Sequence, residues 1–552
     1  MKRRAPTIGA LAVLCVLALA LRLPDLGNRP FHADESVHAV KLWEARQRGG
    51  YIYNPDEFHG PTLYYAAAPF LAALGRKSIG DTVEADYRLA AVAVGVLLVA
   101  LMGLLSDGLG RRATLVAAAL AAVSPAMVFY SRYFIQEMLL ACFSVGALGA
   151  WWRHARSGHP GWAALAGAFL GLMFASKETA SVTLAAWLAA WGVAWFLLPM
   201  RPRDPIRWRD VVLAASVAAL VAAFLLTGFG RNLGAIPDYF RSYAPWFGRA
   251  HGTGMHRHGW DYYLRILVGL RAGSPMAWSE ALIPALALAG LWVAVGGCRR
   301  RAEAAAAAST SEFAGARPVS ADRQYVGLPG VRELHLRVAV SALILLAIYS
   351  VVPYKTPWCI LSPLAGLIIL AGLGADAIVD RAGRRRWLAW TAAAVLALSM
   401  AALGRQAYAD AYRHQTDPAN PYVYAQTVHD AEDIQRRAEA LASVHPDGYG
   451  MVIKVLWTDD YYWPIPWYLR RFQNVGYWTS MPDDPDAPLI FAEPSYDEAL
   501  TAKLDPTHIM NGYIGLRPRV VAMVWVKMDL WTRYVERLQR ERQESGESGE
   551  KP

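Results

Sequence analysis

Two adjacent carboxylates, Asp34 and Glu35, stand in the segment Phe31-His32-Ala33-Asp34-Glu35-Ser36-Val37-His38-Ala39, about a dozen residues past the first apolar run. A carboxylate held on an accessible loop can take a proton from a hydroxyl or can ligate a divalent cation. His32, His38 and His59 could assist either task by orienting the carboxylate or by sharing a ligand. Asp34, Glu35 and His32 are the candidate metal ligands. The same residues would also open a helix over 35–47, with Asp34 as its cap and Glu35 favouring its dipole. The two readings are compatible, because a cap also holds a carboxylate rigidly.

A second set of charges lies at the ends of apolar runs. Ser131-Arg132-Tyr133 precedes Glu137, which falls about one turn inside an apolar helix, where a carboxylate must face a cavity or a partner. Ser176-Lys177-Glu178-Thr179 and Tyr354-Lys355-Thr356-Pro357-Trp358 repeat the pattern. Brought together, Arg132, Lys177 and Lys355 would make a cationic cluster suited to a phosphate or pyrophosphate leaving group. Kept apart, they are interfacial cations whose stems reach toward water. The aromatic loop Tyr51 to Tyr65 would anchor at a membrane interface or offer a platform to a sugar ring or lipid headgroup. His251, His256 and His258 form a His-rich stretch in a loop. In the tail, Trp457 through Arg471 is dense in aromatic and acidic groups, able to pack the tail or to cover an acceptor site.

The elements that must carry these residues are membrane helices. The chain has 552 residues, 55% of them hydrophobic, which excludes an ordinary soluble enzyme. Its net charge of +10 is concentrated in particular loops, which argues for membrane orientation and against nucleic-acid binding. The four cysteines lie in or beside apolar segments and show neither a disulfide framework nor metal-ligand spacing. Residues 1–22 read as an uncleaved signal anchor. Eleven apolar runs are long enough to span: 7–23, 87–106, 112–130, 133–152, 161–176, 179–199, 211–229, 277–297, 337–353, 359–379 and 386–404. With a cytoplasmic N-terminus every alternate loop is basic, as in Gly110-Arg111-Arg112 and Arg299-Arg300-Arg301. The acidic loop 24–86, the three charged turns and the tail then share the external face.

The expected fold class is mainly α: a polytopic transmembrane helix bundle over 1–404 with a small external α/β domain over 405–552. Residues 298–336 are expected to be a disordered cytoplasmic loop. In the tail, 420–443 reads as a helix, 451–457 and 488–492 as buried strands, 520–525 as a further apolar run, and 527–541 as an amphipathic helix. Residues 543–552 are polar and expected to be disordered.

Together these motifs resemble the GT-C superfamily of polyprenyl-phosphate-sugar-dependent membrane glycosyltransferases, such as the protein O-mannosyltransferases and the aminoarabinose transferases. The resemblance rests on the N-terminal span, Asp34-Glu35, Arg132 with Glu137, and Tyr354-Lys355. It is similar in detail to the flippase activity-associated subfamily through His59-Gly60-Pro61, Ser176-Lys177-Glu178-Thr179 and Trp463-Pro464-Ile465-Pro466-Trp467-Tyr468-Leu469-Arg470.

The resemblance implies Asp34 as catalytic base with Glu35 beside it. It implies Arg132, Lys177, Lys355 and Tyr354 at the donor phosphate, with Glu137, Glu178, His38 and His59 in support. The donor would be a polyprenyl-phosphate-linked sugar in a bacterial or archaeal plasma membrane, and the acceptor a lipid, glycan or protein hydroxyl. A divalent metal ion is the one cofactor the ligand types could hold. The alternative is a non-catalytic accessory for flipping lipid-linked glycans.

Overall fold

Hydrocarbon offers a backbone no hydrogen-bond partners, so apolar runs fold as helices. The structure is a computed structural model that describes residues 5–57, 59–198, 207–251, 256–269, 278–308, 330–383 and 385–544. Each of the eleven apolar runs holds a helix. Six helical stretches among the described residues are long and apolar enough to cross a membrane. They are Glu84–Leu109, Ala180–Leu197, Trp208–Leu226, Val331–Val351, Pro357–Ala382 and Arg386–Arg413. The other five runs give helices that are shorter, broken or less apolar. Most of the loop expected to be disordered, 309–329, lies outside the described residues, as do 545–552.

The run 112–130 is not one helix but two, Arg111–Val123 and Pro125–Tyr130. Pro125 has no backbone N–H and blocks continuation of the first helix. The N–H groups freed at the break find other acceptors: Ala126 N donates to Glu280 Oε1 at 2.7 Å, and Met127 N donates to Ser124 Oγ at 3.4 Å. Glu280 is fully buried and also accepts the Ser124 hydroxyl at 2.6 Å and the Tyr422 hydroxyl at 2.5 Å. A single carboxylate therefore closes the broken helix and ties it to the chain leaving the bundle.

Two compact units are present. The first comprises Met1–Leu26, Arg48–Phe70 and Tyr87–Tyr424. At its centre lies Pro357–Ala382, 83% buried and packed against Leu282–Ala308 and Arg111–Val123. Without a hydrophobic drive between helices in lipid, such packing relies on close backbone approach over small residues. At Gly374 a Cβ would stand 1.9 Å from the Leu286 carbonyl oxygen.

The second unit comprises Gly27–Gln47, Leu71–Asp86 and Ala425–Pro552. It is built on a five-stranded sheet of order β2-β1-β3-β5-β4. The strands are β1 (Val452–Leu456), β2 (Asn474–Trp478), β3 (Leu489–Ala492), β4 (His508–Arg517) and β5 (Val520–Lys527). β1 pairs in parallel with β2 and β3, while β5 is antiparallel to β3 and β4. β3 is buried along its whole length, as a near-continuous apolar run requires. Its side chains share a core with Leu456, Leu500, Met523 and Trp525. The expected helix over 420–443 is confined to Glu432–Ala442. Pro421 disfavours an early start, and the Asn420 side chain accepts from Tyr422 N in a local turn.

Replacing Gly374 with Val forces these backbones apart. We expect the Tm of the purified protein in detergent to fall by several degrees, matching overpacking of at least ~1–3 kcal/mol. Gly374→Ala should fall between that variant and the parent.

Candidate functional site

In the first unit the charged turns interlock. Lys177 and Glu178 lie in the turn between Pro160–Phe174 and Ala180–Leu197. Lys177 Nζ pairs with Glu137 Oε1, and both side chains are buried. Burial is the largest single influence and would lower the Lys177 ammonium, but the Glu137 charge and hydrogen bond, together with smaller contributions from its other neighbours, outweigh it and hold its pKa above the ordinary lysine value. Glu178 accepts His59 N at 2.8 Å, His59 Nδ1 at 2.9 Å and the Tyr53 hydroxyl at 3.1 Å. Burial raises the Glu178 carboxyl, yet His59 as charge and donor more than offsets this and holds it well below the usual carboxylate range.

The segment His59-Gly60-Pro61-Thr62 is docked on this same turn. His59 adopts φ 71°, an uncommon conformation for a side-chain-bearing residue, held here by its two bonds to Glu178. Gly60 N donates to Ser176 O at 3.0 Å, and a Cβ at Gly60 would lie 1.9 Å from the Ala175 carbonyl oxygen. The Thr62 and Ser176 hydroxyls are 2.6 Å apart.

Lys355 sits in the turn before Pro357, at a short antiparallel bridge between Arg257 and Tyr354. Its N–H donates to His256 O at 2.8 Å, and His258 N donates to Pro353 O at 3.1 Å. The ammonium is buried and donates to the carbonyls of Val352 and, at 3.3 Å, His258. No carboxylate of the described residues lies within 4 Å of it. Burial lowers its pKa and Asp261 opposes this only in part. The His256 ring faces Tyr354 at 4.8 Å and meets the Tyr424 hydroxyl at 2.7 Å. Cys359, in the Lys355 turn, contacts the Thr356 hydroxyl at 3.2 Å and lies near enough to Lys177 and Glu137 to feel both charges.

Lys177, Glu137 and the Lys355 turn are thus brought together. Arg132 is turned elsewhere. Its guanidinium donates to the carbonyls of Arg22 (2.7 Å), Pro24 (2.6 Å) and Asp25 (3.0 Å) and lies 4.2 Å from the Tyr412 ring. It fastens the chain that leaves the first helix.

The acidic pair lies in the second unit, at the start of the helix Ala33–Gln47. Asp34 is not the cap. The helix begins earlier than expected, and His32 caps it by accepting Asp34 N on Nδ1 at 3.1 Å. Glu35 reaches back to His32 N at 3.0 Å, the reciprocal arrangement of a capping box. Glu35 is fully buried and lies 3.5 Å from the Arg29 guanidinium. Asp34 is 49% exposed and 3.8 Å from His32 Nδ1. His38 is buried one turn further along. Among the described residues no three His, Cys, Asp or Glu side chains converge as a metal-ligand set. His32 and Glu35 are committed to the cap, so the candidate set Asp34, Glu35 and His32 does not fit a metal ion.

A bundle of this order, with interlocked charged turns and an appended mixed sheet, has the fold of GT-C membrane glycosyltransferases, and the chain is an integral, multi-pass membrane protein. Residues 65–227 match the family described as Dolichyl-phosphate-mannose-protein mannosyltransferase. The structure is similar to that of ArnT from Cupriavidus metallidurans in the apo state, with 16% identity, a TM-score of 0.59, and 95% of this chain and 98% of that one covered. The same protein bound to undecaprenyl phosphate matches with the same identity and TM-score over 94% of this chain and 98% of that one. The oligosaccharyltransferase of Archaeoglobus fulgidus matches at 12% identity and a TM-score of 0.55, over 92% of this chain and 73% of that one. No curated protein matches the chain by sequence.

Sequence reasoning passed over Glu280, Tyr422, Arg29 and Arg517. Glu280 carried the signal that singled out Glu137, a carboxylate at the end of an apolar run. Arg29 and Arg517 carried no local signal.

Two outcomes follow from the buried pairs. Lys177→Met strands Glu137 and should cost about 3–5 kcal/mol, while Lys177→Met with Glu137→Leu should recover most of the lost Tm. Glu178, depressed in the folded state, contributes stability that is present above its unfolded pKa and lost as pH falls below it. The Tm measured between pH 6 and pH 3 should therefore fall less steeply in Glu178→Gln than in the parent.

Proposed function

We propose that this protein transfers a sugar from a polyprenyl-phosphate donor to an acceptor hydroxyl on the external face of the membrane, with inversion at the anomeric carbon. The observation that carries this reading is Lys355, a buried ammonium held, among the described residues, by backbone carbonyls alone. Such a group has hydrogen-bonding capacity and uncompensated charge to offer a departing phosphate. Tyr354, 39% exposed beside it, adds a hydroxyl at the same turn. Lys177 has its charge met by Glu137 and serves the phosphate through the shape of the adjoining turn. Arg132 supports the site by fixing the end of the first helix.

Asp34 is the base. It takes the proton of the acceptor hydroxyl, the oxygen attacks the anomeric carbon, and the bond from that carbon to the phosphate oxygen breaks. The electron pair leaves with the polyprenyl phosphate, whose negative charge Lys355 meets. Glu35 cannot share this work from within its cap and its pairing with Arg29. The likeness to an undecaprenyl-phosphate-bound ArnT structure supports the donor class. The basic loops support a cytoplasmic N-terminus and an external sheet.

In proteoliposomes supplied with a polyprenyl-phosphate sugar, Asp34→Asn should reduce turnover by about 10²–10⁴-fold with an unaltered Tm. Full turnover by the folded variant removes Asp34 as base. Lys355→Met should raise the donor KM and reduce turnover as well. If it leaves both unchanged, the phosphate site lies elsewhere.

A further inference from the structure

The His-rich stretch ahead of the helix Tyr262–Val268 has no part in the transfer chemistry so far, but it is built into the Lys355 turn. Arg257 and Tyr354 stand opposite each other on the antiparallel bridge, Arg257 exposed and Tyr354 39% exposed. Successive residues of an extended segment point to opposite faces. His258 and Lys355, each one residue further on, therefore share the other face. Lys355 Nζ donates to the His258 carbonyl at 3.3 Å, so the ammonium ends against the residue that carries the imidazole.

The imidazole is held in place. It stacks on the Tyr262 ring with centroids 4.2 Å apart at 19°, and the Tyr424 ring meets it edge-on at 6.0 Å and 69°. Tyr424 is itself tied to His256, whose Nδ1 lies 2.7 Å from its hydroxyl. His258 Nε2 is shut off from water and, among the described residues, meets no hydrogen-bond partner. A buried polar atom left in that state costs about 1–3 kcal/mol, which a ligand oxygen at hydrogen-bond distance removes. Burial lowers the His258 pKa, and the charges of His256 and Lys355 lower it further. The groups facing His258 are Lys355 across the bridge, His256 on its own segment, and the phenols of Tyr262 and Tyr424. Asp261, at the start of the next helix, acts on Lys355.

An anion placed against Lys355 and His258 reverses that balance, because it offsets the repulsion from the ammonium and favours the imidazolium. We infer that His258 is a second ligand of the donor phosphate, donating from Nε2 beside Lys355 and taking up a proton from solvent as a phosphate dianion binds. A neutral imidazole and a proton from water become an imidazolium hydrogen-bonded to a phosphate oxygen, and no covalent bond changes. The class of ligand favoured is a phosphate monoester. A polyprenyl-phosphate sugar is a diester with one negative charge, whereas the polyprenyl phosphate left when the sugar departs carries two. A site that gains a second cation as that charge appears binds the departing group better than the donor, which is the difference that speeds a reaction. His258 has this role only if the Lys355 turn is the phosphate site proposed above.

The test is calorimetric titration of the full chain in nanodiscs with farnesyl phosphate at pH 7.5, where a phosphate monoester with a second pKa of about 6 is a dianion. Two buffers of different ionisation enthalpy report the protons taken up. The parent should take up part of a proton for each phosphate bound. His258→Gln keeps a donor in the same place but cannot be protonated, so it should bind with comparable affinity and take up none. His258→Ala should weaken binding about tenfold, a loss of about 1.4 kcal/mol. Absence of uptake by the parent overturns the inference. Uptake that persists in His258→Gln does so as well, by assigning the proton to another group such as His256. If His258→Ala does not fold, the uptake in His258→Gln decides alone. Lys355→Met separates the two levels of the argument. Binding weakened by Lys355→Met but untouched by a folded His258→Ala removes His258 and leaves the phosphate site standing. Binding untouched by either variant removes both.

Discussion

A charge carried to the end of an apolar helix must meet a counter-charge, a carbonyl or water, because hydrocarbon supplies none of these. The first unit is arranged around that demand. Lys177 is met by Glu137, and Glu178 by His59 and Tyr53. Arg22 donates to the carbonyls of Ala18, Ala121 and Ala122 and to the Ser131 hydroxyl. Arg132 uses the carbonyls just past the first helix. Each of these contacts also fixes a turn, so neutralising the charge and positioning the chain are one event. Lys355 departs from the pattern. Its ammonium carries three hydrogens and meets two carbonyls. Dipoles solvate its charge without cancelling it, which is the state that an incoming phosphate would complete.

The same demand divides the acidic pair. Glu35 is buried, so its charge is tolerable only beside Arg29 and the His32 amide. That makes it part of the helix start. Asp34, one position earlier, turns its carboxylate outward and keeps contact with water. Proton exchange with a second molecule requires access, and of the two only Asp34 has it. The pair is therefore a division of labour: the inner acid sets the helix that carries the outer one.

Much of this was legible in the sequence, and what was not has a common cause. The helices follow from apolar run length, and the charged turns from the rarity of charge at span ends. The break at Ser124-Pro125 was signalled by the proline, but its cure by Glu280 comes from residues about 150 positions away. The strands β1, β3 and β5 are apolar runs and were visible. β2 and β4 are half-polar edge strands, and Gly476 and Gly512 interrupt them, so their alternation is weak. Arg517 is one arginine among many until β4 places it beside Tyr461 and Trp463. Pairings distant in sequence leave no periodicity to read.

The fold itself survives at 12–16% identity over more than nine-tenths of the chain. A helix bundle in lipid can do so because its positions demand little beyond apolarity, with small residues where backbones touch. Fold alone then says little about the reaction. The turns are different in kind. Gly60 admits no side chain against Ala175, His59 is held at positive φ by two bonds to one carboxylate, and Glu178 would be an uncompensated buried charge without them. Change at any one of these residues disturbs the other two. Constraints this tight belong to parts of the molecule whose geometry must not drift. They lie at the turn next to Lys177 and, through Cys359, beside Lys355. The ordered motifs of the sequence are legible there because each of these turn residues answers to several contacts at once, whereas a helix position in lipid answers chiefly to apolarity.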